Sequence, residues 1–149
     1  MNPYLRFALM LLTSGLVMYG LMYLHTYETG HVFYSQTRAW MTVIMVAGMA
    51  VVMLGFMQGM YKDKRANAGI LVAAAVIFAS SLWLVRSQAT VDDVSYMKAM
   101  IPHHSIAILT SKRARIEDPR VRELADEIIA AQEREIAEMK RLIEDLESR

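Results

Sequence analysis

Ala66-Asn-Ala-Gly-Ile-Leu-Val-Ala-Ala-Ala-Val-Ile-Phe-Ala-Ser-Ser-Leu-Trp-Leu-Val85 carries no charged side chain, and Arg86 then opens a tail of quite different composition. A helix of that length rises about 30 Å, the thickness of a bilayer's hydrocarbon core. Residues 7–27 and 39–61 likewise lack Lys, Arg, Asp and Glu. Three membrane helices are therefore expected, at residues 4–24, 40–60 and 67–85 to within a few positions. From Arg86 onward lie 11 of the 16 Lys/Arg and 13 of the 15 Asp/Glu, a net of −2 for a water-soluble tail. The expected architecture is all-α: a three-span membrane anchor over residues 1–86, then a soluble antiparallel helical hairpin over 87–149.

Loop charges set the expected orientation. Tyr61-Lys62-Asp63-Lys64-Arg65 holds three positive charges against one negative, whereas the first loop balances Glu28 with Arg38. Short basic loops stay in the cytoplasm, so the N-terminus is expected inside and the tail outside, beside His25 and His31. In a bacterium this means the inner membrane with a periplasmic tail. The first segment follows Arg6 as a signal peptide's core would, but no small-x-small cleavage site closes it, and it reads as an uncleaved span. A net charge of +1 gives no footprint for nucleic acid, and without cysteine there is no disulfide, thiolate zinc site or iron–sulfur cluster. No Asp, Glu, Lys or Arg lies deep in a span, which argues against an ion-coupled transporter.

The second span repeats methionine at Met41, Met45, Met49, Met53 and Met57, with Met60 beyond. A step of four residues turns about 400°, so the stripe drifts ~40° at each methionine and cannot make one site. Bundle packing explains it, with Gly55 and Gly59 as a small-xxx-small pair for close approach. A soft-metal relay or a lipid-adaptable surface is the alternative.

The tail opens on Met97-Lys98-Ala99-Met100-Ile101-Pro102-His103-His104. In a helix Met97, Met100 and His104 fall within roughly 60° of one another. Thioether is a soft ligand and imidazole a borderline one, so this mixture suits Cu(I) or Ag(I) better than Mg, Ca or Mn. Methionines at helical spacing also serve as plain core filler, and the histidines could be satisfied by polar neighbours. Asp92 or Asp93 is a good N-cap for a helix to about Ile116, with a kink expected at Pro102, and Asp118-Pro119 opens a second helix to about Leu146. The inward seam of that helix reads Val121, Ala125, Ile128, Gln132, Glu135, Met139, Leu142, Leu146, with two polar residues in the middle. Folding near residues 117 and 118 sets Met97 opposite about 138, Met100 opposite 135, and His103 and His104 opposite 132 and 131. Soft ligands thus converge with Gln132, Glu135 and Met139 at one level. A buried Gln/Glu–His hydrogen-bond network is the alternative reading. His25 and His31 are secondary metal candidates because they share the tail's side.

The run Tyr96-Met97-x-x-Met100-Ile101-Pro102-His103-His104, followed by Ala107-Ile108 and by Gln132-x-x-Glu135-Ile136-x-x-Met139, resembles the domain-of-unknown-function-305 family. That resemblance, over about residues 90–147, implies a ferritin-like fold and a link to bacterial copper resistance and copper binding. It implies Met97, Met100, His103, His104 and Met139 as ligands of Cu(I) or Ag(I), with Gln132 and Glu135 as their neighbours. The longer relatives carry a four-helix unit where this chain has one hairpin, which favours assembly between chains. Leu124, Ile129, Ile136 and Ile143 flank the inward seam and widen the apolar stripe, so a homodimer through the tail is expected.

Ferritin-like di-iron sites need Glu-x-x-His pairs with further inward glutamates, and the chain is expected to offer none. Zinc-hydrolase spacing, phosphate loops and nucleophile triads are also absent. The expected function is membrane-tethered soft-metal binding in copper homeostasis or resistance, not an enzyme, with the bilayer and a copper-handling protein or membrane complex as partners. A non-metal membrane subunit that scaffolds a larger complex is the alternative. A copper-dependent oxidoreductase is a distant third.

Overall fold

The computed structural model describes residues 2–148, whose regular structure is helical throughout. In chain order the helices are α1 (Pro3–Leu21), α2 (Gln36–Phe56), α3 (Lys64–Ser87), α4 (Asp93–Arg113) and α5 (Pro119–Glu147), with a 3-10 turn at Thr29–His31. Helices α1, α2 and α3 are long and apolar enough to cross a membrane.

The chain divides into two compact units, and the first takes the sequence up to Met22 together with Thr37–Thr90. Helices α1 and α3 begin where side chains satisfy the free amides of a first turn. The Asn2 side chain accepts from the Tyr4 N–H at 2.9 Å, and the Asp63 carboxylate accepts from Arg65 and Ala66 N–H at 2.9 and 3.1 Å. Helix α2 starts four residues before the expected position, at Gln36, because it takes Arg38 into its first turn. That guanidinium is buried, and its Nη1 donates to the Met22 carbonyl at 2.7 Å. A paired charge can enter a helix that composition alone would start after it.

Phe7, Ala50, Leu54, Tyr61 and Ala74 form this unit's core, with Met53 and Met57 packed against it. Met41, Met45 and Met60 are exposed, so the methionine series winds from core to surface as its four-residue drift requires. Close approach falls at Gly15, where an added Cβ would sit 3.0 Å from Val46 Cγ2. Gly55 and Gly59 face open space instead, which corrects the small-xxx-small expectation.

The second unit comprises Tyr23–Gln36 and Val91–Arg149. Asp92 caps α4 by accepting from Ser95 N–H at 2.7 Å, and Asp118 caps α5 by accepting from Arg120 N–H at 2.9 Å with Pro119 behind it. Helix α4 continues unbroken through the buried Pro102. The start of α4 lies against the end of α5: Lys98 pairs with Glu147, His104 with Glu135, and Arg122 Nη2 donates to the Ser111 carbonyl at 3.1 Å. Met97, Ile101 and Ile108 pack with Ile136 and Ile143, and Tyr27 and Phe33 from the preceding segment close over the same core.

Ala125 is buried as expected, but towards the C-terminus the buried seam of α5 is turned by about one residue, ~100°, from the expected one. Ile136 is 3% exposed, whereas the Glu135 side chain is 52% exposed. Val121, Leu142 and Leu146, expected inward, lie open. An apolar β-branched side chain takes the dry position and leaves the carboxylate at the rim, where it stays hydrated.

Candidate functional site

Helices α4 and α5 leave an open groove along one side. Met97 and His104 line it from α4 and Glu135 and Met139 from α5, so four of the sequence-derived residues share one space. His104 meets Glu135, about one turn beyond the expected position 131. Met100 is half-buried, His103 is exposed, and neither lines the groove. The His103 ring centroid lies 6.1 Å from that of His104. Gln132 is also outside the lining, and its Nε2 donates to Glu135 Oε2 over 3.5 Å.

The His104 Nδ1 atom is the unusual feature. It is buried and lies 3.0 Å from Glu135 Oε2, yet off the axis of a hydrogen bond, so it has no aligned partner. A buried polar atom left in that condition is destabilising unless something else engages it. Burial lowers the His104 pKa from its usual value near 6.5, against the pull of Glu135, and His103 lowers it further. Imidazole is thus held neutral, the form that ligates a metal. Met97 is 7% exposed and Met139 partly buried against the same core, so two thioethers flank this nitrogen's groove. Among the described residues no group of three or more His, Asp and Glu is arranged to hold an ion. The soft donors that line this groove are two thioethers and one imidazole, a set whose chemistry fits a soft monovalent ion.

The two histidines of the first loop lie elsewhere. His25 is exposed and does not line the groove. His31 is buried, with Nδ1 3.0 Å from Ser105 Oγ and Nε2 3.5 Å from Glu28 Oε2. Glu28-Thr-Gly-His31 is a Glu-x-x-His, which corrects the expectation that the chain offers none. In place of an inward di-iron pair it forms a 3-10 turn whose histidine hydrogen-bonds α4.

Ser105, which no motif singled out, is the anchor of that arrangement. It is 0% exposed, and its hydroxyl oxygen also accepts from Tyr27 N–H at 2.8 Å. The available signal was its place on the seam Met97, Ile101, Ser105, Ile108, where a small polar residue interrupts an apolar row. Sequence reasoning also missed Asp93, Tyr96, Glu138 and Asp145 as groove residues.

Three bilayer-length helices and a two-helix unit with a Met/His groove define the class of chain. It belongs to the family described as domain of unknown function DUF305, whose profile matches residues 92–149, the whole of α4 and α5. It is 38% identical over 104 residues to "Uncharacterized protein L153" of Acanthamoeba polyphaga mimivirus, an alignment covering 65% of this chain and 68% of that one. Such coverage exceeds the 58 residues of the family match, so the similarity extends upstream of Asp92. No solved structure matches the chain.

Proposed function

We propose that the chain is a membrane-anchored binder of Cu(I) or Ag(I), with the metal as cargo and Met97, His104 and Met139 as its principal ligands. The observation that carries this reading is His104 Nδ1, buried without an aligned partner in a groove flanked by two thioethers. Glu135, with Oε2 3.0 Å from His104 Nδ1, keeps a negative charge beside a bound cation. Met100, about one turn from both Met97 and His104, and His103, the residue before His104, are reserve ligands on α4. The resemblance to copper-linked ferritin-like proteins supports the same choice of metal. It also supports reading α4 and α5 as half of a ferritin-like bundle. Helices α1–α3 hold the groove at a membrane, and the basic Lys62–Arg65 loop supports a cytoplasmic N-terminus with the groove outside.

The test is anaerobic Cu(I) titration of the full chain in detergent against a chromogenic Cu(I) chelator. The M97L/H104A/M139L variant is expected to lose at least a hundredfold in affinity, and Zn(II) to compete poorly. Equal affinity in the native chain and the variant would leave the non-metal scaffold reading in its place.

A further inference from the structure

The first unit is strongly basic. Its charged side chains are Arg6, Arg38, Lys62, Lys64, Arg65 and Arg86 against one acid, Asp63. Arg38 lies in the first turn of α2 and Arg86 in the last turn of α3, whereas the other four cations lie at the opposite end, where α1 and α3 begin and α2 gives way to the loop. Tyr4 fixes that arrangement: its hydroxyl donates to Asn67 Oδ1 at 3.0 Å and accepts from Asp63 N–H at 3.2 Å. Asn67 Nδ2 donates in turn to the Tyr61 carbonyl at 2.8 Å, and the Tyr61 ring lies 5.3 Å from the rings of both Tyr4 and Phe7. The loop is thus held in shape from within the unit. Lys62, Lys64 and Arg65 stand exposed on it, and among the described residues none of them, nor Arg6, makes an ion pair. The Asp63 carboxylate is engaged elsewhere, accepting from the Arg65 and Ala66 amides at 2.9 and 3.1 Å. Local stability does not explain these cations, since the dipole of α3 disfavours positive charge in its first turn.

We propose that this basic end binds the headgroup of an anionic phospholipid, with Lys62, Lys64 and Arg65 on its phosphodiester oxygens. As spans, α1–α3 set the loop at the depth of the headgroups, and charge then selects among lipids. A zwitterionic headgroup carries its own ammonium beside the phosphate, whereas an anionic one leaves its charge uncompensated. Each Lys or Arg near such a surface is worth roughly a fivefold preference, so three together reach about a hundredfold before screening by salt. A loop already fixed in shape loses little further freedom on binding. Orientation argued from the same charges concerns insertion. A lipid held by the folded chain is a separate property, independent of the metal reading and of the leaflet the loop faces.

The experiment is native mass spectrometry of the full chain, delipidated in detergent and offered equal phosphatidylglycerol and phosphatidylcholine. Retention of phosphatidylglycerol at least tenfold over phosphatidylcholine is expected, with the preference falling as ammonium acetate is raised. K62Q/K64Q/R65Q should reduce it to less than twofold, whereas R113Q/R115Q/R134Q, the same charge change at exposed tail positions, should keep it. Helical circular dichroism checks that both variants fold, as substitutions at exposed positions should. Inorganic phosphate at millimolar concentration should not displace the lipid; displacement would make free phosphate the ligand and overturn the lipid assignment. No preference in the native chain, a preference indifferent to salt, one that survives in folded K62Q/K64Q/R65Q, or one lost equally in the tail variant would also overturn the proposal.

Discussion

Replacing Ser105 with Ala removes one oxygen and leaves two polar groups without partners. The hydroxyl is fully buried, accepts from Tyr27 N–H at 2.8 Å and contacts His31 Nδ1 at 3.0 Å. Alanine fills nearly the same volume, so the change lies in hydrogen bonding and leaves almost no cavity. A buried group that loses its partner costs about 1–3 kcal/mol, and the Tyr27 amide, only partly buried, falls at the low end. The sum, about 2–4 kcal/mol, falls on the attachment of residues 23–36 to α4 and not on the α4–α5 core. Hydrogen exchange reads that opening locally. At ~1.4 kcal/mol per decade, amides of residues 23–36 should exchange at least ~30-fold faster in Ser105→Ala, with Ile136 and Ile143 amides far less affected. Unchanged protection at the Tyr27 amide would refute the role given to Ser105.

Further outcomes follow from the same packing. Burial, aided by Lys140 and opposed by Glu28, holds the His31 pKa below its usual value near 6.5. The unfolded chain therefore takes up the proton first as pH falls. Stability of the second unit should be full above ~6.5 and decline below it, down through the folded value, with a flatter profile in His31→Gln when thermal unfolding is followed from pH 8 to 5. Ile136→Ala should destabilise α4–α5 packing by about 2–5 kcal/mol, whereas Glu135→Ala should shift it by less than ~1 kcal/mol; denaturant unfolding giving the reverse order would restore Glu135 to the seam. Protease added to intact spheroplasts should remove the tail beyond Arg86 and spare α1–α3, and a protected tail would reverse the orientation argued from loop charge.

The coarse architecture was legible because it depends on composition and punctuation. Windows without charge marked α1–α3, and Asp92, Asp118 and Pro119 marked the starts of α4 and α5. What the sequence left ambiguous was rotation about the α5 axis. Its apolar residues form two adjacent rows, one through Ile136 and Ile143 and one through Leu142 and Leu146, and periodicity alone does not choose between them. The structure buries the first row against α4. Ile136 and Ile143 are thereby removed from the surplus surface on which a tail dimer was argued, and Leu124 remains exposed. The same rotation moves Glu135 to the rim beside His104 and opens the groove. Ser105 was hidden for another reason: its partners are Tyr27 and His31, more than seventy positions away, and no local pattern records that distance.

The donors around a bound soft ion distinguish a Met/His metal site from every other reading of the groove. X-ray absorption at the copper edge, on the full chain loaded anaerobically with one equivalent of Cu(I), tests it most directly. A first shell of sulfur and imidazole nitrogen is expected, with the sulfur contribution lost in M97L/M139L and the imidazole contribution lost in His104→Ala. A shell of nitrogen and oxygen alone, or a sulfur shell that survives M97L/M139L, would contradict the assignment of the groove as the metal site.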